Sequence, residues 1–457
     1  MPALNRFAAD ARAARAGQRQ LGAATLAVVL LLFFVIALVS AYTSRNLIFE
    51  QRTSVNQYRA SMAFETAEAG MEWATALLNG GRIGNNCTEA AAVAGSTSFR
   101  QRYLSIDSVS GAITPRKQVT NPAKELKPTC VWTGAAWSCT CPDDTDPVLA
   151  EPAAAGLHPA FRLRFTPNPR EGVVRVQVNG CVRMTEECLD DFSDAPRDSE
   201  GRAQHTTLLA LKPAVTTPPA AALTVYGNVV GGGAAVVQNS DAAAGGITIQ
   251  AAGAVNTVGF TLLSAPGTPP ARSVVAGDGT LVPNGLNLAS LLALPAVPLN
   301  WDRVFGSVFG LAPATYREQP AARVLVCPNA GCRAALSDLV AANPNRVIWI
   351  PGDLVLESAG DIGSLPAAAN PAAAGAATIV VEGRVRFLSP GVNIFGVVYT
   401  RSGNWEGSGT INGAALVEGD LTAAAAPTVR YEQSVINATR LSSGSFVPMQ
   451  GDWKDFK

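Results

Sequence analysis

The residues of this chain best suited to covalent chemistry are its eight cysteines, Cys87, Cys130, Cys139, Cys141, Cys181, Cys188, Cys327 and Cys332. Thiolate sulfur serves zinc ligation or disulfide formation, and spacing separates the two. Zinc ribbons present paired C-x-x-C knuckles. The group Cys87, Cys130, Cys139 and Cys141 has none, so it reads as disulfides paired within the group, with zinc as the alternative. Cys181 and Cys188 flank a short loop, as do Cys327 and Cys332, and each pair reads as a local bridge. Closing such a loop stabilises by ~2–3 kcal/mol in the chain-entropy account. Only two histidines occur, His158 and His205, and no metal site is read. The acidic loop of Asp190, Asp191, Asp194, Asp198 and Glu200 lacks the D-x-D-x-D-G spacing of a calcium loop and reads as solvated, with calcium as the alternative. Glu406 and Asp420 are isolated acids on turns, not a glycosidase pair. G-x-S-x-G, H-E-x-x-H and Walker A runs are absent, and Gly231-Gly232-Gly233 reads as a turn. The expectation is no enzyme and no cofactor.

Cysteines form disulfides only in an oxidising compartment, so the element that places them matters most. Ala23 to Thr43 contains no charge, Pro or Gly. As a helix it spans roughly 30 Å, the hydrocarbon thickness of a bilayer. Each Leu, Ile, Val or Phe near its centre favours insertion by about 0.3–0.6 kcal/mol. Arg6, Arg12, Arg15 and Arg19 precede it against Asp10 alone, which keeps the short N-terminal side cytoplasmic and places the cysteines beyond the membrane. Charge sums to zero with 15% charged residues, so no nucleic-acid partner is read.

No Pro occurs between Pro2 and Pro115. Val55, Tyr58 and Met62, then Phe64, Ala67, Met71, Ala74 and Leu78, recur at helical spacing, and Asn79-Gly80-Gly81 is a stop. One helix is predicted from Ala23 to Asn79, about 85 Å long. Gly70 inside it costs about 1 kcal/mol relative to Ala and reads either as a mark of close packing or as without a role. The stretch TCVWTGAAWSCTCP reads as a hairpin, and FRLRF, VVRVQVNGCV and TTLLALK as further antiparallel strands on which the helix lies. KPAVTTPPAAA (212–222) reads as a linker and domain boundary. Beyond it, short Val, Ile, Thr and Leu strands alternate with Gly, Asn and Asp. That texture predicts a β-solenoid, with a β-sandwich as the alternative, interrupted by helical sequence over 286–342. The fold class is α+β: a long membrane-spanning helix packed on a small antiparallel sheet, then a mostly-β, solenoid-like domain.

A basic leader, a Gly, a membrane helix and an amphipathic extension together resemble a type IV prepilin. Gly22-Ala23-Ala24-Thr25-Leu26, Arg52, Asn56, Ala63-Phe64 and Ala67-Glu68-Ala69 resemble the PilX family of minor pilins, over about residues 18–79. VVEGRV, IFGVVYT, GTINGAALVEGD and GDWKDF resemble the C-terminal halves of large PilX-type proteins. The resemblance implies cleavage by prepilin peptidase between Gly22 and Ala23, with methylation of Ala23. It divides the chain into a leader (1–22), a helix (23–79, transmembrane over 23–43), a Cys-rich pilin-like head (80–215) and a solenoid-like domain (216–457). The implied partners are membrane lipid, other minor and major pilins through the helix, the peptidase and the pilus assembly platform. The implied location is the bacterial inner membrane, single-pass with a cytoplasmic N-terminus and a periplasmic bulk, then the pilus or cell surface. Two departures stand out. Gln20 and Leu21 separate Arg19 from Gly22, where most prepilins place a basic residue directly before the Gly. Ala27 stands where major pilins carry Glu. The expected function is a minor pilin that promotes assembly at or near the tip, with surface adhesion as a further role. The alternatives are a K-like pseudopilin of type II secretion and a pilus-displayed adhesin with a carbohydrate-binding solenoid.

Overall fold

The computed structural model describes residues 21–93, 96–107, 110–153, 156–190, 192, 201–292, 298–365, 375–423 and 427–449. Residues 1–20 of the expected leader (1–22), most of the acidic loop and the closing GDWKDF lie outside them. The chain divides into two compact units, residues 1–62 and 63–457. The described part of the first is helix throughout. It belongs to α1, Leu21–Leu78, whose remaining residues belong to the second unit. From Leu26 to Tyr42 the large apolar side chains are all 47–70% exposed. A helix apolar on every side suits lipid. Among the described residues one helix, Ala24–Leu78, is long and apolar enough to cross a membrane.

The second unit contains a six-stranded antiparallel sheet. Its strands β1 (Thr129–Trp132), β2 (Trp137–Thr140), β3 (Ala160–Pro167), β4 (Val173–Cys181) and β5 (Arg202–Pro213) lie where alternating apolar and polar residues place them. The order is C-terminal strand, β5, β4, β3, β1, β2. The first member comes from the far end of the chain: Gly444–Pro448 pairs antiparallel with β5, residue 444 opposite 213. The sequence reading assigned that strand to the solenoid-like domain. In the structure it covers the otherwise open edge of β5 and adds Phe446, 1% exposed, to the head core. Residues 214–443 are therefore an insertion between two paired strands of the head.

The stretch expected to be a linker is a buried joint. Ala214, Val215, Ala221 and Ala222 are buried. The amides of Thr216 and Thr217 donate to the Val308 carbonyl at 2.9 and 3.0 Å.

The insertion is a parallel β-stack in which successive turns of chain lay strands on three faces. One face aligns, in spatial order, strands near residues 274, 249, 223, 415, 397, 378, 347 and 322. The chain thus starts in the middle and climbs to one end. It then crosses to the other end over residues 276–321 and returns until Leu223–Val225 pairs with residues 415–417. Neighbouring strands lie ~4.8 Å apart, so the crossing spans roughly 34 Å. Val392–Thr400 and Thr410–Val417 each bend across two faces at the paired Gly396 and Gly413. A Cβ on Gly413 would stand 2.1 Å from the Gly396 oxygen, so the corner closes only on glycine.

The crossing carries helices α2 (Pro298–Phe309) and α3 (Pro313–Glu318), and α4 (Arg333–Ala342) follows. Ile348, Ile350, Ile379, Val381, Val398 and Val417 fill the inside of the stack. Val347, Trp349, Val380, Val397, Tyr399 and Leu416 face outward against Val304, Phe305, Phe309 and Tyr316 of α2 and α3. Burial on both sides is why VIWI and ATIVV read as unbroken apolar runs.

One carboxylate is buried beneath this strap. Glu418, 4% exposed, accepts from the Tyr399 hydroxyl at 2.6 Å and from Arg401 Nε at 3.1 Å. Arg401 Nη2 reaches Asp302 of α2 at 3.1 Å. Burial pushes the Glu418 carboxyl up from 4.5 to about 7, against the opposing pull of Arg401 and Tyr399. Because the folded value is raised, the stabilising contribution is complete below 4.5 and is lost as pH rises through 7. The wild-type protein should lose up to roughly 3 kcal/mol of unfolding free energy across that window. Glu418→Gln should flatten the loss, as read by urea titrations at several pH values; an unchanged slope in the variant contradicts the assignment.

Candidate functional site

The feature that organises the head is the seat of α1 on the sheet, built from small residues. Ala63, Ala67 and Ala74 are fully buried. A Cβ on Gly180 of β4 would stand 2.3 Å from the Ala63 oxygen and 2.5 Å from the Ala67 nitrogen. Helix backbone therefore rests on strand backbone, which excludes any side chain at residue 180. One turn on, a Cβ at Gly70 would stand 2.7 Å from Val178 Cγ1 and 2.9 Å from the Phe161 ring. Of the predicted stripe, Ala67, Met71, Ala74 and Leu78 enter the core, while Phe64 is half-buried. Trp73 sets its ring edge-on to Phe99 and Phe161, each at 5.5 Å.

The helix ends on a buried cation. Arg100 donates from Nε and Nη2 to the Leu78 carbonyl at 3.2 and 3.0 Å, and to the carbonyls of Ser442 and Gly444 at 2.9 and 2.7 Å. Burial, then the charge of Arg346, pulls its pKa down to about 9, so it remains charged at neutral pH. Asn79 grips the C-terminal strand from both sides. Its Oδ1 accepts from the Phe446 amide at 2.7 Å and its Nδ2 donates to the Phe446 carbonyl at 2.9 Å. Arg82 Nε donates to the Ala341 carbonyl at 2.6 Å, in the last turn of α4.

All eight cysteines are paired: Cys87–Cys141, Cys130–Cys139, Cys181–Cys188 and Cys327–Cys332. Cys130 and Cys139 face each other across the β1–β2 hairpin. Cys87–Cys141 ties the chain after α1 to the end of that hairpin. Cys181–Cys188 encloses Glu186, whose carboxylate holds buried Arg162 at 2.7 and 3.0 Å. Cys332, buried in the stack interior, precedes α4.

The remaining polar candidates have structural partners. Asp190 is held by Lys127 at 2.6 Å and Arg162 at 3.3 Å; Asp191, Asp194, Asp198 and Glu200 lie outside the described residues. His158 Nδ1 stands 3.1 Å from the Trp132 carbonyl, and His205 Nε2 3.2 Å from the Thr207 hydroxyl. Asp420 accepts from the Asn228 amide at 2.7 Å, whereas Glu406 pairs with Arg384 and Arg386; the two acids share no partner. Among the described residues no group of three or more His, Cys, Asp or Glu is placed to hold a metal. Gly22 and Ala23 lie in the first helical turn of α1.

Residues 22–72 match the family model described as PilX N-terminal. The N-terminal region is that of the PilX family of type IV pilin-like proteins. No curated protein matches the chain. Among solved structures it is similar to the competence-associated pilin ComZ from Thermus thermophilus, at 10% identity over 86% of this chain and 97% of that one, with a TM-score of 0.21. That likeness is too distant to place any residue.

Within residues 22–72, Ala63 of the AF pair and Ala67 of the AEA triplet are the residues that rest on Gly180. Sequence reasoning missed Gly180, although a Gly inside the strand VQVNGCV signals close backbone approach. Arg100 carries no comparable signal. Gly180→Ala should destabilise by roughly 1–3 kcal/mol through overpacking. Gly279→Ala should change little, because its Cβ would meet nothing within 4 Å. Equal urea midpoints for the two variants would refute the close-contact account.

Proposed function

We propose that this chain is a minor pilin, anchored by α1 in the bacterial inner membrane and placed at or near the tip of a type IV pilus. The PilX N-terminal match carries the reading. In it, prepilin peptidase removes residues 1–22, Ala23 becomes the methylated N-terminus, and the mature helix packs against those of other minor and major pilins. Ala27 supports the tip position. An acid there can pair with the N-terminal amine of a neighbour in an apolar setting, where an unpaired charge is costly. A subunit with no neighbour to serve can lack it. Size supports the same position. Packed helices lie about 10 Å apart, whereas a compact body the size of the second unit has a radius of gyration near ~21 Å. Repeating that bulk at every subunit would crowd a thin shaft.

A second role, display of a binding domain, is favoured by one observation. The β-stack is inserted between β5 and the strand that pairs with it, so its ends meet at residues 213 and 444. The head sheet does not use the stack's strands. A pseudopilin of type II secretion is the remaining alternative, and loss of secreted enzymes without loss of pili in a deletion strain would favour it.

Mass spectrometry of protein from peptidase-competent cells should find Ala23 at the N-terminus, and immunogold on sheared pili should mark ends. An intact Met1 terminus, or dense label along shafts, contradicts the proposal.

A further inference from the structure

The two runs of the stack meet at a seam, and the seam is notched. On one face the strands run in the order Leu354–Leu356, Val385–Phe387, Asn404–Gly407, Leu421–Ala423 and Val229–Val230. The last comes from the first run and is only two residues long. The chain leaves it at Gly231 and Gly232, the latter at φ +131° with open space where a Cβ would stand. Beside it is a cavity of about 450 Å³ lined, among the described residues, by Val230, Gly231, Gly232, Asn404, Glu406 and Thr422, with Trp405 beneath. That volume lies in the ~300–1,000 Å³ range of small-molecule sites. The glycine run is thus more than a turn, because it keeps the notch open.

Register decides which groups face it. Leu421 and Trp405 are buried, so Asn404, Glu406 and Thr422 point outward beside Val230, which is 44% exposed. Asn404 Oδ1 accepts the Thr422 hydroxyl, and no acceptor among the described residues takes the Asn404 amide hydrogens. Glu406 accepts from Arg384 Nη1 at 3.2 Å on one oxygen and from Arg386 Nε at 2.8 Å on the other. Each oxygen keeps a lone pair. Arg384 also holds Asp353 at 2.7 Å, so two carboxylates balance two guanidiniums.

This inventory selects a ligand class. A metal ion would find one carboxylate, already paired with two cations. An anion would meet Glu406 beside guanidiniums that carboxylates already occupy. An apolar ligand could lie on Val230 and Trp405, but it would cover the Asn404 amide and the Glu406 carboxylate without pairing them. A neutral polyhydroxylated molecule fits, since its hydroxyls can donate to Glu406 and accept from Asn404 while its C–H face lies on Val230 and the glycine backbone. We propose that the seam notch binds a short neutral oligosaccharide. The proposal gives a ligand class to the display reading above, and binding is measured independently of pilus assembly.

Full-length protein in lipid nanodiscs is titrated calorimetrically with lactose, N-acetylchitotriose and maltotriose, and with sialyllactose as the acidic counterpart. Lactose represents terminal sugars of glycoconjugates, and the other two neutral probes represent structural and storage polysaccharides. At least one neutral probe should bind at millimolar concentration or below. Asn404→Ala should weaken it about tenfold, the scale of one lost hydrogen bond, and Val230→Arg should weaken it at least as much by filling the notch and removing the apolar contact, with thermal unfolding unchanged. Both side chains are exposed, so neither change threatens the fold. No binding of any neutral probe, affinity indifferent to both substitutions, or sialyllactose binding as tightly as the best neutral probe would overturn the proposal.

Discussion

Arg100 lies where two helices end and the C-terminal strand begins. Its guanidinium donates to Leu78, the last residue of α1, to Ser442, which caps the helix α5 (Gln433–Leu441), and to Gly444, the first residue of the C-terminal strand. It also lies 4.8 Å over the Phe446 ring. Burying a cation is costly unless its donors are satisfied. Here two of the acceptors are carbonyls at helix C-termini, where the backbone dipole favours positive charge. The fork of a guanidinium reaches all three at once, which the single ammonium of a lysine does less well. The head is therefore completed by residues that follow the whole insertion in the chain, and Asn79 fixes the same strand through both backbone groups of Phe446.

That constraint explains how the head accommodates a large second layer. The entropic cost of closing a loop rises by only ~0.6 kcal/mol per doubling of its length. An insertion is thus tolerated if its ends meet, and they meet at residues 213 and 444. Within the insertion the same economy recurs. The chain starts in the middle of the stack, so its last turns come back to pair with its first at the seam. The crossing that makes this possible is not loose, because Phe305 and Phe309 pack on Trp349 and Tyr399.

The long helix was legible because a charge-free apolar run and an absence of proline leave little else for the segment to be. The head strands were legible because Phe161, Leu163 and Phe165 alternate with Arg162 and Arg164, and Val174, Val176 and Val178 with Arg175, Gln177 and Asn179. The corner glycines and strand texture of the insertion were visible as a pattern, but their spatial order was not. Periodicity records which way a side chain points and says nothing about which turn lies beside which. The C-terminal strand was missed for the same reason, since its partner is more than two hundred residues away. Gly180 and Arg100 were missed because a close backbone contact and a buried cation depend on what arrives from elsewhere in the chain. At the seam, Glu406 reads from the sequence as an isolated acid on a turn; it lies on the strand Asn404–Gly407, among paired arginines beside a glycine-lined opening.

In the proposed account, α1 serves assembly, the head converts its last four turns into a platform, and the stack is carried on that platform. All of this requires the C-terminal strand to be an integral part of the head. Hydrogen exchange of the full chain in nanodiscs measures that directly. Peptides covering 444–448 should be as protected as those covering β4 and β5, and Asn79→Ala should release them selectively. Exchange of 444–448 at the rate of free chain, with β4 and β5 still protected, would contradict the account.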